Sequence, residues 1–334
     1  MASRWVFAAP CARLAVALAA LLGAALALPR DAAAQSYPAK PIRVVVPYAA
    51  GGITDILARA LGQKLGEALG QSIVIDNRPG ANSQVGAEIV ARAAPDGYTL
   101  MVSADTTFVM NPHLSPKPGY DPLNDFVPVS GLGISPQALA VHPSVPAKKV
   151  TELLALARAK PGELNYGTFG VGSSGHLNIE LLQSLTGTKF TAVHYKGAAP
   201  ALTDLLGGHI QMMIVSIGLV TQGWQAGQLK VLGFGSEQRI AQYPDVPTIA
   251  ETLPGYEAAS WYGLAAPAGT PRAIVDKLSA ETQKIFAEPG FREKYLAPSM
   301  IFSIAGTPED FAQRIKADYA KWGKVIKEAG VKVE

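Results

Sequence analysis

Short apolar blocks follow one another along this chain, and their spacing alternates between the periods of a strand and of a helix. Residues 43–46 are a β-branched run that predicts a buried strand, and residues 54–69 repeat apolar side chains at helical spacing. A strand at 73–75, a helix at 85–94 and a strand at 98–103 continue the pattern. Successive strand–helix units of this kind predict an open parallel sheet.

The same alternation resumes in the middle of the chain and gives way to a mostly helical, amphipathic tail at 272–334. It predicts a second α/β block made of the same kind of unit. The elements predicted in this block are helix 153–159, strand 165–169, helix 176–185, strand 190–195, helix 199–206, strand 210–215, helix 220–226 and strand 229–233.

Two stretches, 135–141 and 258–266, read as extended and flank the central block. If the chain crosses between two lobes there, residues 35–136 and 260–334 form the first lobe. Residues 137–259 then form the second. Two crossings place a cleft between the lobes and make the crossing strands a hinge.

The first 34 residues have the pattern of a secretory signal peptide. Arg4 and Arg13 precede an uncharged run rich in Ala and Leu, and small residues follow at 32–34. The run is too short for a membrane-spanning helix, which needs roughly 20 apolar residues. We predict cleavage after Ala34 and export to the periplasm; the alternative is an uncleaved anchor.

Removal of this leader changes the charge and the chemistry of the chain. The chain has 29 Lys and Arg residues and 26 Asp and Glu residues, and the leader contains three of the basic residues and one of the acidic ones. The remaining chain therefore has a net charge of +1. No basic cluster indicates nucleic-acid binding. The single cysteine, Cys11, lies in the leader, so the remaining chain has no disulfide, thiol nucleophile or cysteine metal ligand. It must be stabilised by its core, and its length allows two domains.

Four predicted strand-to-helix turns carry the candidate binding chemistry: 48–55, 103–107, 168–175 and 195–199. In an open α/β sheet, ligands bind beyond the carboxyl ends of the strands, so these turns should meet at one crevice. They are rich in Gly, Ala, Ser and Thr and poor in charge. Backbone N–H groups at helix starts attract anions, which favours a bound carboxylate. The alternative is that these residues only shape tight turns.

Residues 170–175 also match the G-x-G-x-x-G pattern of dinucleotide-binding sites. Such a site needs an acidic residue about 20 positions further on. The next strand ends instead in His194, Tyr195 and Lys196. An anion-binding turn is therefore favoured, and no cofactor is expected.

Motifs for catalysis are not found. No serine lies in G-x-S-x-G, and the histidines do not form H-E-x-x-H or a close pair with zinc spacing. We therefore expect neither an enzyme nor a metal site. Arg78 could bring charge to the cleft, although a solvated or loop-bracing role is favoured for Arg78 and a surface role for Lys196.

Several single residues have two possible roles. His176 starts a helix and either contacts a ligand carboxylate or caps the helix. Asp55 and Asp105 either brace their loops or bind an amino or hydroxyl group of the ligand. Tyr48 and Trp261 either form a wall of the ligand site or belong to the core.

Residues 37–55, with the sequence Y-P-A-K-P-I-R-V-V-V-P-Y-A-A-G-G-I-T-D, resemble the mature start of the Bug-type receptors, the solute-binding proteins of tripartite tricarboxylate transporters. Where many relatives carry Phe and Pro-Pro before the two glycines, this chain has Tyr48-Ala49-Ala50. Further matching motifs are Asn77-Arg78-Pro79-Gly80-Ala81, Pro95-Asp96-Gly97-Tyr98-Thr99-Leu100, Gly172-Ser173-Ser174-Gly175-His176-Leu177, Tyr195-Lys196-Gly197-Ala198-Ala199-Pro200-Ala201 and Trp261-Tyr262-Gly263-Leu264-Ala265-Ala266-Pro267-Ala268-Gly269-Thr270-Pro271.

This resemblance implies the two-lobed α/β fold of type II periplasmic binding proteins, the Venus-flytrap fold, with two open mixed sheets flanked by helices and two crossover strands. It implies capture of a small carboxylate, such as an amino acid, a di- or tricarboxylate or an aromatic acid, for delivery to integral-membrane transporter subunits. We expect a monomer. A receptor that signals to a membrane kinase and an exported hydrolase remain alternatives.

In the family, the first loop cradles a carboxylate through backbone groups and bridging waters. Carried over to this sequence, the resemblance and the turn chemistry together give one set of expected ligand-binding residues. They are Tyr48, Ala50, Gly51, Gly52, Ile53, Thr54, Asp55, Ser103, Asp105, Thr106, Thr168, Gly170, Gly172, Ser173, Ser174, His176, Tyr195, Lys196, Gly197 and Ala198.

Overall fold

The predicted strand–helix units form in the computed structural model, which describes residues 37–115, 118–195 and 197–331. Residues 40–334 form one compact unit, and residues 1–39 form another, of which only 37–39 are described. The predicted leader and Cys11 lie outside the described residues. Among the described helices, none combines the length and apolar character needed to cross a membrane.

The described part of the chain contains ten strands. They are β1 (Ile42–Val46), β2 (Ile73–Asn77), β3 (Thr99–Ala104), β4 (Phe126–Val141), β5 (Asn165–Thr168), β6 (Thr191–His194), β7 (Met212–Ser216), β8 (Lys230–Phe234), β9 (Ala259–Pro267) and β10 (Phe302–Ser303).

The α-helices lie between and after these strands. They are α1 (Ile53–Leu69), α2 (Gln84–Ala91), α3 (Asn111–Leu114), α4 (Val150–Ala159), α5 (Ser174–Thr186), α6 (Ala198–Leu206), α7 (Ile217–Gln225), α8 (Arg272–Ala287), α9 (Pro289–Phe291) and α10 (Pro308–Ala329). Shorter helical turns occupy Ala81–Ser83, Ile249–Glu251 and Ala297–Ser299, and two π-helical turns occupy Thr106–Met110 and Arg292–Leu296.

Helix α1 shows how local sequence sets the bounds of an element. Its apolar residues Leu57, Leu61 and Leu65 are buried on one face, as the spacing predicts. Gly70 ends the helix with a φ of 68°, a left-handed conformation that favours glycine, and its N–H donates to the Gly66 carbonyl at 3.0 Å.

The strands pair in the order β2-β1-β3-β9-β4-β7-β5-β6, and both β8 and β10 pair with β4. The β1, β2 and β3 pairings are parallel, as are those of β5 with β6 and β7, whereas β4 and β9 pair antiparallel with their neighbours. A mixed α/β architecture with open sheets flanked by helices is therefore confirmed.

Strand β4 belongs to both halves of this arrangement. Its Phe126–Pro136 part pairs with β9, and its Gln137–Val141 part pairs with β7 and β8. The change of partners at residues 136 and 137 coincides with the predicted lobe boundary, although the division into lobes stays a prediction. The prediction of an extended stretch at 135–141 omitted the first nine residues of this strand.

The core beneath the central strands is aromatic. Phe108, in the π-helical turn, stacks on Trp261 of β9 with ring centroids 5.7 Å apart, and both rings contact Phe311 of α10 edge-on. Trp261 is 2% exposed and also donates from its indole Nε1 to Asp318 Oδ2 at 2.6 Å. Trp261 therefore belongs to the core, the second of its two predicted roles.

Candidate functional site

A cavity of about 640 Å³ lies where several strands of both halves end. Its lining is mostly apolar or uncharged, and this size suits a small organic molecule. The lining residues are Tyr48, Ala49, Ala50, Gly51, Gly52, Ile53, Thr54, Ile56, Asn82, Ala104, Asp105, Thr106, Gln137, Phe169, Ser173, Ser174, Gly197, Ala198, Val215, Ser216, Gly218, Leu219, Ser260, Tyr262, Pro298 and Ser299.

Four helices begin at this cavity, and the N-terminal capping residue of each one is part of the lining. Gly52 caps α1, Ser173 caps α5, Gly197 caps α6 and Ser216 caps α7. The N-terminal turn of a helix has N–H groups without intrahelical partners and the positive end of the helix dipole. In the described structure, no side chain of the capping residues Gly52, Gly197 and Ser216 accepts a hydrogen bond from the first N–H groups of its helix. These N–H groups give the cavity the chemistry of an anion site.

The first loop is fixed by Asp55, which is buried beside the cavity and does not line it. Asp55 Oδ2 accepts from Gly51 N–H at 2.9 Å and from Arg59 Nε at 3.0 Å, and Oδ1 accepts from Asn77 Nδ2 at 3.0 Å. Asn77 Nδ2 also donates to the Tyr48 carbonyl at 3.1 Å. Burial raises the pKa of Asp55, but these hydrogen bonds outweigh it, so the pKa lies below its usual value. These contacts are those of the bracing role, and ligand contact by Asp55 stays a prediction.

Four hydroxyl groups form hydrogen bonds next to the same loop. Thr107 Oγ1 lies within hydrogen-bond distance of Tyr48 Oη at 3.0 Å, Ser83 Oγ at 2.7 Å and Ser103 Oγ at 2.6 Å. Tyr48 lines the cavity, whereas Ser103 is fully buried and does not line it. Ser103 therefore reaches the site only through Thr107.

The second loop, 168–175, is held from behind by two histidines. Thr168 Oγ1 lies 2.8 Å from His194 Nδ1 and accepts from Gly170 N–H at 3.2 Å. His176 Nδ1 accepts from Gly172 N–H at 3.1 Å. Of the predicted residues in this loop, Thr168, Gly170, Gly172 and His176 do not line the cavity. These four shape the turn that presents Ser173 and Ser174.

In the third turn, 195–199, some of the predicted residues line the cavity and others do not. Tyr195 does not line the cavity; its hydroxyl donates to Asp204 Oδ2 at 2.7 Å, and burial together with this carboxylate raises the pKa of Tyr195 to about 12. Gly197 and Ala198 line the cavity at the start of α6. Lys196 lies outside the described residues.

Asp105 is the ionisable acid among the described lining residues, and it is 2% exposed. Its Oδ1 accepts from Thr106 N–H at 2.7 Å and from Thr106 Oγ1 at 3.3 Å, while Oδ2 has no hydrogen-bond partner in the described structure. Burial raises the pKa of Asp105 to about 7, the Asp318 carboxylate adds to the rise, and the backbone N–H groups of Thr106 and Trp261 oppose it.

Sequence reasoning missed the lining residues of α7 and of the crossing strands. Ser216 ends β7 directly before α7, the same strand-to-helix junction as the predicted turns, but the sequence pattern predicts this helix only from residue 220. Gln137 and Ser260 lie at the predicted lobe crossings, which could have indicated them. Pro298 and Ser299 come from the helical tail, where the sequence gives no signal.

A second cavity suits an organic anion less well. A cavity of about 470 Å³ is lined by Glu237, Glu257, Asp310 and Asp318 with a single Arg314, so it repels anions. The described residues contain no group of three or more His, Cys, Asp or Glu side chains able to hold a metal ion. Elsewhere, the Arg78 guanidinium is paired with Asp76 at 2.9 Å, half exposed, in its predicted bracing role.

Comparison with known proteins shows which family this chain matches. Residues 57–331 match the family described as "Tripartite tricarboxylate transporter family receptor". Protein BugT of Bordetella pertussis is 35% identical over 303 residues, which cover 90% of this chain and 93% of BugT.

Two solved structures with ligands are also similar. A protein of R. palustris solved with adipate has a TM-score of 0.79 and 37% identity, and the match covers 89% of this chain and 99% of that one. MatC from Rhodopseudomonas palustris with bound malate has a TM-score of 0.75 and 32% identity, and the match covers 87% of this chain and 100% of MatC. The resemblance read from the sequence motifs is confirmed.

Proposed function

The chain belongs to the tripartite tricarboxylate transporter receptor family, and from that premise we propose that it binds a small carboxylate in the cavity of about 640 Å³. We propose further that the protein is exported by a cleaved leader and works in the periplasm as a monomer. It delivers its ligand to the integral-membrane subunits of a tripartite tricarboxylate transporter.

The start of four helices at one cavity is the observation that carries this proposal. The caps Gly52, Ser173, Gly197 and Ser216 all belong to the lining, so partial positive charge and backbone N–H donors surround the space. Burial of a carboxylate is costly unless it is hydrogen-bonded throughout. Backbone donors meet that need without a lysine or arginine in the described lining.

The ligands bound to two relatives support a carboxylate. The R. palustris protein was solved with adipate and MatC with malate, and both matches extend over nearly the whole of those chains. Both molecules are small dicarboxylates, which need anion-binding groups at two ends. A cavity with four helix starts supplies more than one such place.

The hydrogen bonds of three cavity serines, Ser173, Ser216 and Ser260, favour binding over serine catalysis. Ser216 Oγ lies 2.6 Å from Ser135 Oγ, Ser260 Oγ donates to Ser174 Oγ at 3.4 Å, and Ser173 Oγ accepts from His176 N–H at 3.4 Å. A nucleophilic serine needs an adjacent general base. These partners are hydroxyls and a backbone N–H, so they offer no such base.

Ligand capture is proposed to close two lobes, residues 35–136 with 260–334 and residues 137–259. Lining residues come from both sets, Gly52 from the first and Gly197 from the second, so a ligand that contacts both favours the closed state. Strands β4 and β9 are the proposed crossings. Closure then creates the surface that the membrane subunits recognise.

A thermal-shift screen of small mono-, di- and tricarboxylic acids tests the binding proposal. A ligand that binds only the native state raises the melting temperature, by an amount that grows with ligand concentration. Hits are confirmed by calorimetry. Failure of every acid to raise the melting temperature of the folded protein would contradict the proposal.

Substitution at Gly52 tests the location of the site. Gly52 has a φ of −78°, and an added Cβ would lie 3.8 Å from the Ala49 carbonyl oxygen with nothing closer, so Gly52→Leu is compatible with the fold. The new side chain covers the start of α1, and we expect affinity to fall by at least about tenfold, or 1.4 kcal/mol. Gly290→Leu, in open space on α9, is the matched control. Unchanged affinity of the Gly52 variant would place the ligand elsewhere.

Uptake of the radiolabelled hit by a deletion strain tests the transport role. We expect uptake to be lost in the deletion strain and restored by the wild-type chain but not by Gly52→Leu. If the deletion strain takes up the hit as fast as the parent strain, the transport role is refuted and the signalling alternative remains.

A further inference from the structure

Asp105 follows strand β3 at the cavity and has one carboxylate oxygen that the protein does not use. Thr106 satisfies Oδ1 through its N–H and its hydroxyl, and Oδ2 has no hydrogen-bond partner in the described structure, although the Trp261 backbone N–H is close enough to the carboxyl to favour its ionised form. The side chain is 2% exposed, so bulk water does not solvate it freely. A buried polar atom without a partner destabilises the protein, and more so if it is charged. Such a group in a native structure needs an explanation.

The surroundings of Asp105 offer no compensating positive charge. In the part of the lining that the structure describes, there is no Lys, Arg or His, and the acid that interacts with Asp105, Asp318, has the same sign. Tyr48 and Tyr262 also lie in the lining near it, and neither carries positive charge. Among the described residues, therefore, no cationic side chain stabilises the ionised form of Asp105, and burial raises its pKa to about 7.

When Asp105 is ionised, a ligand that consisted of carboxylates alone would bring a second negative charge toward Oδ2. A ligand with an N–H or O–H donor would complete the hydrogen bonds of Asp105, and an ammonium group would also neutralise it. We propose that the ligand is a carboxylic acid that also carries an ammonium or hydroxyl group, and that Asp105 Oδ2 accepts a hydrogen bond from that group. This inference rests on the proposed function, since it assumes that the acid group binds at the helix starts.

Matched series of acids test this inference, because their members differ at one carbon only. Succinate, malate and aspartate carry hydrogen, hydroxyl and ammonium at that position, and adipate with 2-aminoadipate extends the series to a longer chain. By calorimetry on the full mature chain, we expect the amino acid to bind roughly 10- to 100-fold more tightly than the unsubstituted acid of the same length. The hydroxy acid should lie between them.

Asp105→Asn tests the residue, because it keeps the size of the side chain and removes its charge. We expect the ratio of affinities for the amino and unsubstituted acids to fall to within about threefold of one. Asn178→Ala is the matched control, since Asn178 Oδ1 is also buried without a partner in the described structure and does not line the cavity. Its ratio should equal that of the wild type. Asp105→Ala is the second variant, and thermal melts confirm that each variant is folded.

Each outcome separates this inference from the proposed function. An unsubstituted acid that binds wild type as tightly as its amino analogue overturns the inference and leaves carboxylate binding intact. An unchanged ratio in folded Asp105→Asn and Asp105→Ala overturns the role of Asp105. If no acid of any series binds the folded protein, the proposed function itself is wrong.

Discussion

Asp55→Asn should destabilise the protein and weaken ligand binding, although Asp55 does not line the cavity. The carboxylate accepts hydrogen bonds from Gly51, Arg59 and Asn77 on its two oxygens. Asparagine keeps the size of the side chain, but its amide nitrogen must face one of these donors. The substitution therefore loses at least one hydrogen bond as well as the charge that strengthens the others.

The magnitude follows from these contacts. A hydrogen bond to a charged group contributes about 1.5–3 kcal/mol. The Arg59 side chain is 53% exposed, so its ion pair adds only about 0–1 kcal/mol. We expect a loss of about 2–4 kcal/mol in the free energy of unfolding, or a melting temperature lower by roughly 4–8 °C. Re-ordering one freed residue of the loop costs about 1–2 kcal/mol, so affinity should fall roughly 5- to 30-fold.

Thermal unfolding followed by circular dichroism measures the first effect, and calorimetry with the best acid from the screen measures the second. Asp96→Asn is the matched control, because Asp96 also accepts a backbone N–H, from Tyr98 at 3.0 Å, but its side chain is 46% exposed. Its effect should stay within about 0.5 kcal/mol. A melting temperature of Asp55→Asn within about 1 °C of wild type, or an equal shift in Asp96→Asn, would refute the reasoning.

The pH dependence of this effect has a definite sign. Burial raises the pKa of Asp55, but its hydrogen bonds lower it by more, so the folded-state pKa lies below that of the unfolded chain. Stability from such a group is present above the unfolded pKa and is lost as pH falls through the folded pKa. The difference between wild type and Asp55→Asn should therefore be full at pH 7 and shrink below about pH 4.

Three further substitutions have expected outcomes. Asp105→Asn should stabilise the ligand-free protein, because the folded pKa of Asp105 is raised to about 7 and its ionisation destabilises the fold progressively from about pH 4 to pH 7. Thermal melts across that range should show a gain in melting temperature over wild type that grows with pH. Gly263→Ala should cost at least about 1–3 kcal/mol in chemical unfolding, because the new Cβ would lie 1.9 Å from Phe311 Cζ; an unchanged midpoint would show that α10 moves freely. Ser173→Ala should cost only about 0.5–1 kcal/mol, since its capping bond from His176 N–H is long at 3.4 Å; a larger loss would indicate another role for the hydroxyl.

The regular strand–helix units could be predicted from sequence because their patterns are local. Helix 54–69 and strands 43–46 and 73–75 are marked by apolar spacing and by turn residues, and the structure places them within three residues of those bounds. The fold follows from the repetition of such units. Packing against distant segments was not needed to recognise them.

The first part of β4 could not be predicted, because tertiary packing overrides its local preferences. Pro128, Gly131 and Gly133 are residues that strands disfavour. An added Cβ on Gly131 would lie 2.8 Å from the Ile304 carbonyl oxygen, and one on Gly133 would lie 2.4 Å from Ile301 Cγ2. These glycines let the segment around β10 approach the strand closely. That reason lies about 170 residues away in the chain.

The candidate site could likewise be predicted only in part from the sequence. Turns that follow a strand and open a helix were visible in the sequence, so the starts of α1, α5 and α6 were predicted to be part of the site, and they line the cavity. Which residues of those turns face the space was not visible. Asp55 and His176, for example, have polar groups suited to a ligand, but hydrogen bonds within their own loops engage them. Partners of that kind are set by the folded backbone.

The sharing of β4 between the two sets of strands affects how the molecule unfolds. Loss of the Phe126–Pro136 ladder would leave the Gln137–Val141 ladder attached to a frayed strand, and the reverse holds as well. Neither half keeps a complete central strand when the other melts. The protein should therefore lose both halves in one cooperative step, with equal calorimetric and van't Hoff enthalpies, although its chain is long enough for two independently folding domains.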